Sequence, residues 1–118
     1  MKKRILVVDD WESIRETFAL ILTEANYEVL SASDGEEAIN ILAKDSGFDL
    51  VITDGRMPKK RGEELIKYIK LAHPHIKTIF VSSDDGVDAL INGADAVFSK
   101  INMSFPELVE TAKKFAPP

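Results

Sequence analysis

Short apolar runs alternate along the chain with stretches in which apolar residues return every three or four positions. Ile5-Leu6-Val7-Val8 is the first run. It is too short for a helix and lacks the polar half of a surface strand, so it predicts a strand covered on both faces. From Glu12 onward Ile14, Phe18, Ile21, Leu22 and Ala25 share one side while Glu12, Arg15, Glu16 and Glu24 fall elsewhere. That spacing predicts an amphipathic helix, broken at Asn26-Tyr27. Glu28 to Ala32 predicts a second strand. Asp34 with Glu37 makes a capping-box-like start to a helix carrying Ala38, Ile39, Ile41 and Leu42, which Ser46-Gly47 ends.

The rhythm then repeats. Phe48 to Thr53 predicts strand three, stopped by Asp54-Gly55-Arg56-Met57-Pro58, and Leu65, Ile66, Ile69 and Ala72 mark a helix that ends at His73-Pro74. Thr78 to Val81 predicts strand four. A brief helix around Val87 to Ile91 follows, with Gly93 as its C-terminal cap, and Asp95 to Ser99 predicts strand five. Ser104 with Glu107 caps a last helix bearing Leu108, Val109, Ala112 and Phe115. Five βα units imply an α/β fold: a parallel sheet with right-handed crossovers and helices on both faces. They occupy residues 1–118 as one domain, with 116–118 read as a tail or the start of a linker.

Composition narrows the function. A chain of 118 residues with 45% hydrophobic content can bury a core without disulfides or a structural metal. With no cysteine there is no disulfide scaffold, thiolate metal site or cysteine nucleophile, which fits a reducing, cytoplasmic setting. A net charge of -5 argues against direct nucleic-acid binding. No apolar run approaches the ~20 residues that span a bilayer, and the four apolar residues after Met1-Lys2-Lys3-Arg4 are too few for a signal peptide.

In open α/β sheets ligands bind outside the carboxyl ends of the strands. Asp9-Asp10 ends strand one, Asp54 strand three, Ser82 strand four and Lys100 strand five. Three carboxylates at ~5 Å repel by about 3 kcal/mol per pair at an effective dielectric near 20, so the crevice calls for positive charge. Lys100 offsets part of it. An all-oxygen cluster of this size suits a hard dication such as Mg2+ better than Ca2+, for which three carboxylates are sparse and an EF-hand loop is missing. A carboxylate flanked by a cation and hydrogen-bond donors can attack phosphorus to form an acyl phosphate. Asp54 is the candidate nucleophile, Asp9 and Asp10 the candidate metal ligands, Lys100 the phosphoryl charge partner and Ser82 the hydrogen-bond donor.

Taken together, Ile5 to Asp10, Asp49 to Asp54 with Met57-Pro58 and Gly62, Ser82, and Gly93-Ala94-Asp95 leading to Lys100 resemble the receiver (CheY-like) domain of two-component response regulators. The resemblance spans essentially the whole chain. It implies a flavodoxin-like sheet of order 2-1-3-4-5 and Mg2+-dependent phosphoryl transfer from a histidine kinase phosphohistidine, or from a phosphotransfer protein, to Asp54. It also implies that the Arg56 backbone carbonyl completes the metal site, and that Ser82 shifts on phosphorylation to remodel an interaction surface for a downstream protein. The domain is then a signalling switch and not a turnover enzyme, with weak self-dephosphorylation at most. A phosphorylation-independent interaction module of the same fold is the alternative. An aspartate-nucleophile phosphatase fits poorly because Asp9-Asp10-Trp11 is not its Asp-x-Asp motif, and a flavin carrier because no phosphate loop follows strand one.

The chain departs from the family pattern at four places. Ile101 stands where a cis-proline is usual, which implies a trans bond. Val97 replaces the usual aromatic, with Phe98 facing the other side of the strand. The stretch from Ser82 to Gly93 is about one helical turn short. Gly55 replaces a larger apolar residue and is expected to loosen the acceptor loop. Structural readings compete at single residues: Asp9 with Glu12 as a helix cap, Trp11 as a cover on the core rim, His73 and His75 as helix-end residues. The Arg56, Lys59, Lys60 and Arg61 cluster reads as a solvated loop or as an attractor for an acidic kinase surface.

Overall fold

The apolar runs become the strands of one parallel sheet in a computed structural model, which describes residues 2–55, 62–82, 93–101 and 103–118. The elements are β1 (Arg4–Val8), α1 (Glu12–Glu24), β2 (Glu28–Ala32), α2 (Gly35–Lys44), β3 (Leu50–Asp54), α3 (Gly62–Ala72), β4 (Lys77–Ser82), β5 (Ala96–Ser99) and α4 (Phe105–Phe115). The sheet order is β2-β1-β3-β4-β5, as the family resemblance implies. The short helix expected around Val87 to Ile91 lies outside the described residues.

Period-two alternation sorts the strand side chains into two layers. Ile5, Val7, Leu50, Ile52, Ile79 and Val81 pack against Phe18 and Leu22 of α1 and Leu108 and Ala112 of α4. Leu6, Val8 and Val51 face the other way, against Ala38 and Leu42 of α2 and Leu65 and Ile69 of α3. A smaller cluster of Ile66, Phe80 and Ala94, with Val97 against it, forms a third core group beside β4 and β5. Val97 and Phe98 therefore serve different clusters, as the alternation predicts.

Local chemistry sets the ends. The Asp34 side chain accepts the Glu37 backbone N–H at 2.8 Å, and Glu37 reaches back to the Ser33 N–H at 3.1 Å, one residue beyond the usual box. Ser104 accepts from the Glu107 N–H to start α4. Asn26 takes a left-handed φ of 77° where α1 stops, and Gly93 takes 89°. His73 meets the Tyr68 hydroxyl, and His75 the Ser46 carbonyl, consistent with helix-end roles. Ala116 is buried, and its carbonyl accepts the Tyr27 hydroxyl proton at 2.6 Å, so the core runs through the first residue of the expected tail. No helix among the described residues is long and apolar enough to cross a membrane.

Candidate functional site

Strand register assembles the site. Val8 pairs with Thr53, Asp54 with Val81, and Ser82 with Ser99, so Asp9, Asp54, Ser82 and Lys100 come together along one carboxyl edge. The sheet order reverses between β1 and β3, the place where such sheets leave a crevice. Carboxylate oxygens of Asp9, Asp10 and Asp54 lie within 4.8 Å of one another. Lys100 Nζ sits 3.4 Å from Asp9 Oδ2 and 3.2 Å from Asp54 Oδ1.

The pocket is dry at its floor. Asp9 is 1% exposed and Asp54 4%, while the Lys100 side chain keeps 31% of its surface. Burial pushes the Asp9 carboxyl above its ordinary value; the Trp11 N–H opposes this and the Asp54 charge reinforces it. For Lys100 burial favours the neutral amine, but the charges of Asp54 and Asp9 outweigh it and hold the ammonium on. Among the described residues Lys100 pairs with two of the three carboxylates, Asp9 and Asp54. Asp54 Oδ1 touches that lysine but accepts no hydrogen bond. Ion-paired but without a well-aligned donor, this oxygen keeps capacity for a hard cation or an incoming donor. The all-oxygen donor set and this incompletely satisfied oxygen both fit Mg2+.

Ser82 is buried at the same edge, and its carbonyl accepts the Lys100 backbone N–H at 2.7 Å, fixing where the lysine leaves β5. Arg56 and its neighbours Lys59, Lys60 and Arg61 lie outside the described residues. No cis peptide bond occurs among the described residues, Lys100–Ile101 included.

Three readings need correction. Asp9 is not the cap of α1: Trp11 is, with no side-chain cap, and Asp9 Oδ1 instead accepts the Trp11 N–H at 3.0 Å. Trp11 does not cover the core; it stands 65% exposed. Gly55 itself is not loose, while the rest of the expected acceptor loop, 56–61, lies outside the described residues. The Gly55 N–H donates to the Val81 carbonyl, its own carbonyl accepts the Gly62 N–H, and it is buried. The reason for glycine is space: a β-carbon there would lie 2.6 Å from Phe80 Cζ. Arg15 was read only as part of a polar helix face, yet its Nη1 donates to the Asp9 carbonyl at 2.7 Å. Its place one turn into the helix after the acidic pair was the available signal.

The model of the response regulator receiver domain matches residues 5–113. The response regulator protein PilR of Pseudomonas aeruginosa is 33% identical over 99% of this chain, and the alkaline phosphatase synthesis transcriptional regulatory protein PhoP of Bacillus subtilis 37% identical over 85%. The chain spans only 27% and 43% of those proteins. Among solved structures, the response regulator TrrA of Thermotoga maritima in complex with Mg(2+)-BeF is similar, with a TM-score of 0.87 and 36% identity. That likeness covers 96% of this chain and 98% of TrrA. A CheY-like receiver domain from Methanospirillum hungatei gives 0.88 at 30% identity, covering 97% and 93%. With its sheet order and nearly its full length matched, the chain belongs to the receiver domain family of two-component response regulators.

Proposed function

We propose that this domain accepts a phosphoryl group on Asp54 in a Mg2+-dependent reaction and relays the signal through a protein-interaction surface. The observation that carries the reading is the convergence of three carboxylates and Lys100 on one edge, with Asp9 and Asp54 buried and Asp54 Oδ1 in an ion pair with Lys100. Asp9, Asp10 and Asp54 would hold the cation, with the Arg56 carbonyl as a further ligand. Bound there, Mg2+ supplies charge neutralisation for the transferring oxygens.

Asp54 acts as the nucleophile. Its carboxylate attacks phosphorus, the phosphorus–nitrogen bond of a phosphohistidine breaks with its electron pair returning to the imidazole, and an acyl phosphate forms. The Lys100 ammonium, held protonated by its neighbours, draws in the phosphoryl oxygens. The Ser82 hydroxyl donates to the product phosphoryl group and moves with it. The donor is a histidine kinase or phosphotransfer protein, and the recipient of the signal a separate downstream protein.

Acetyl phosphate as donor tests this by intact mass. The wild-type domain gains one phosphoryl group in millimolar Mg2+ and none in EDTA, and Asp54→Asn gains none. An unmodified wild-type protein across millimolar Mg2+ would favour the phosphorylation-independent interaction module.

A further inference from the structure

Phe80 lies on β4, 26 positions from Asp54 in sequence, and belongs to a core cluster apart from the carboxylates. Its ring nonetheless governs the acceptor segment at two points. A β-carbon on Gly55 would lie 2.6 Å from Cζ and 2.9 Å from Cε1, distances that real β-carbons do not tolerate. One on Gly62 would lie 3.0 Å from Cε2 of the same ring and would also run into the Asp54 carbonyl oxygen. Gly55 and Gly62 are the two ends of the segment that follows Asp54, tied to each other by the Gly62 N–H to Gly55 carbonyl hydrogen bond of 3.3 Å. The Gly55 N–H meanwhile prolongs the β3–β4 ladder onto the Val81 carbonyl, next to Phe80.

We propose that Phe80 is a positioning residue for the Asp54 site, its ring seated in a socket walled by Gly55 and Gly62 that holds the backbone directly after Asp54 and at the start of α3 in place. The inference rests on the phosphoacceptor reading above and deepens it. The ring acts through the backbone at Gly55 and Gly62. Ile66 packs against the ring's cluster from α3, and Ala94 and Val97 from the β5 side, so it is held from two directions. Bulk at Gly55 must therefore displace either the ring or the loop.

A size exchange tests the socket. Gly55→Ala is expected to slow acetyl phosphate labelling by about tenfold, since small displacements of reacting groups carry large rate penalties. It also weakens Mg2+ binding, read by Trp11 fluorescence. Phe80→Leu opens space beside the added methyl. In the double variant labelling should return to within about threefold of wild type, a non-additivity that independent sites do not show. Phe80→Leu alone should quicken hydrogen exchange at the Gly55 and Gly62 amides and weaken Mg2+ binding, and it carries the test if Gly55→Ala fails to fold. Phe80 is ordinary core if both single variants lower the melting temperature yet keep wild-type labelling rate and Mg2+ affinity, or if the double variant is no better than Gly55→Ala. Absence of labelling in wild type itself would strike the phosphoacceptor reading alone; Mg2+ affinity and amide exchange would still decide the socket.

Discussion

The centre of the sheet and its β5 edge are built to different rules. Every residue of β3 and four of the five in β1 are buried, whereas every residue of β5 is only partly covered. Asp9 and Asp54 sit at the ends of the two central strands, where surrounding apolar side chains strip away water. Two of the four departures from the family pattern, Val97 and Ile101, sit at or just after β5, and Ile101 is 77% exposed. A residue at the centre is constrained by packing on both faces and by charge. One at the edge answers mainly to whatever docks there. Gly55, the departure beside Asp54, is by contrast held at the centre by the Phe80 ring, so the two regions vary under different constraints.

Removing the charge that joins the two regions should have the largest effect. Lys100 leaves β5 but its ammonium serves Asp9 and Asp54, so Lys100→Met is expected to slow labelling at Asp54 by about 10²–10³-fold, the usual loss for one oxyanion partner. Labelling near the wild-type rate would mean that the edge contributes nothing to the chemistry.

Metal comes next. Mg2+ at ten times its dissociation constant should stabilise the wild-type fold by about 1.4 kcal/mol, a shift of several degrees in melting temperature. Asp9→Asn should lose this response while melting higher than wild type in EDTA. The advantage has a defined pH window. Because the folded state raises the Asp9 pKa, ionisation costs stability wherever the unfolded carboxylate is already charged. The gap between Asp9→Asn and wild type in EDTA should be full above the raised folded value and vanish as pH falls below 3.8, the ordinary value. A gap that widens toward low pH would mean that Asp9 is stabilised as the anion. Calorimetric melts of both proteins across pH measure it.

The smallest effect belongs to the edge. Ile101→Thr is expected to change labelling at Asp54 by less than about twofold and stability by less than about 0.5 kcal/mol, as befits an exposed position. A large loss of labelling would break the separation of edge from centre.

Most of this plan could be read from the chain. Strand two was placed residue for residue, and the other strands to within two positions, because short segments lacking helical periodicity between turn or helix-end signals leave few alternatives. The candidate site was legible because its polar residues each follow a strand, and parallel strands bring such ends together. What escaped depends on contacts between distant positions. Glycine at 55 suggests freedom when only its neighbours are considered; the Phe80 ring that demands it lies on another strand. Trp11 looked like a core cover from its size, but the two-residue step from Asp9 into α1 leaves its side chain facing water. Arg15 belongs to the polar side of an amphipathic helix by spacing, and only the approach of α1 to the end of β1 turns it toward Asp9.

The central claim is that Asp54 becomes an acyl phosphate with Mg2+ present, and its most direct test locates the bond. Borohydride reduces an acyl phosphate on aspartate to homoserine, which peptide mass spectrometry distinguishes from aspartate. After treatment with acetyl phosphate and Mg2+, position 54 should read as homoserine, with Asp9 and Asp10 unchanged and no conversion in EDTA. Homoserine at position 9 or 10, or at none of the three, would contradict the account.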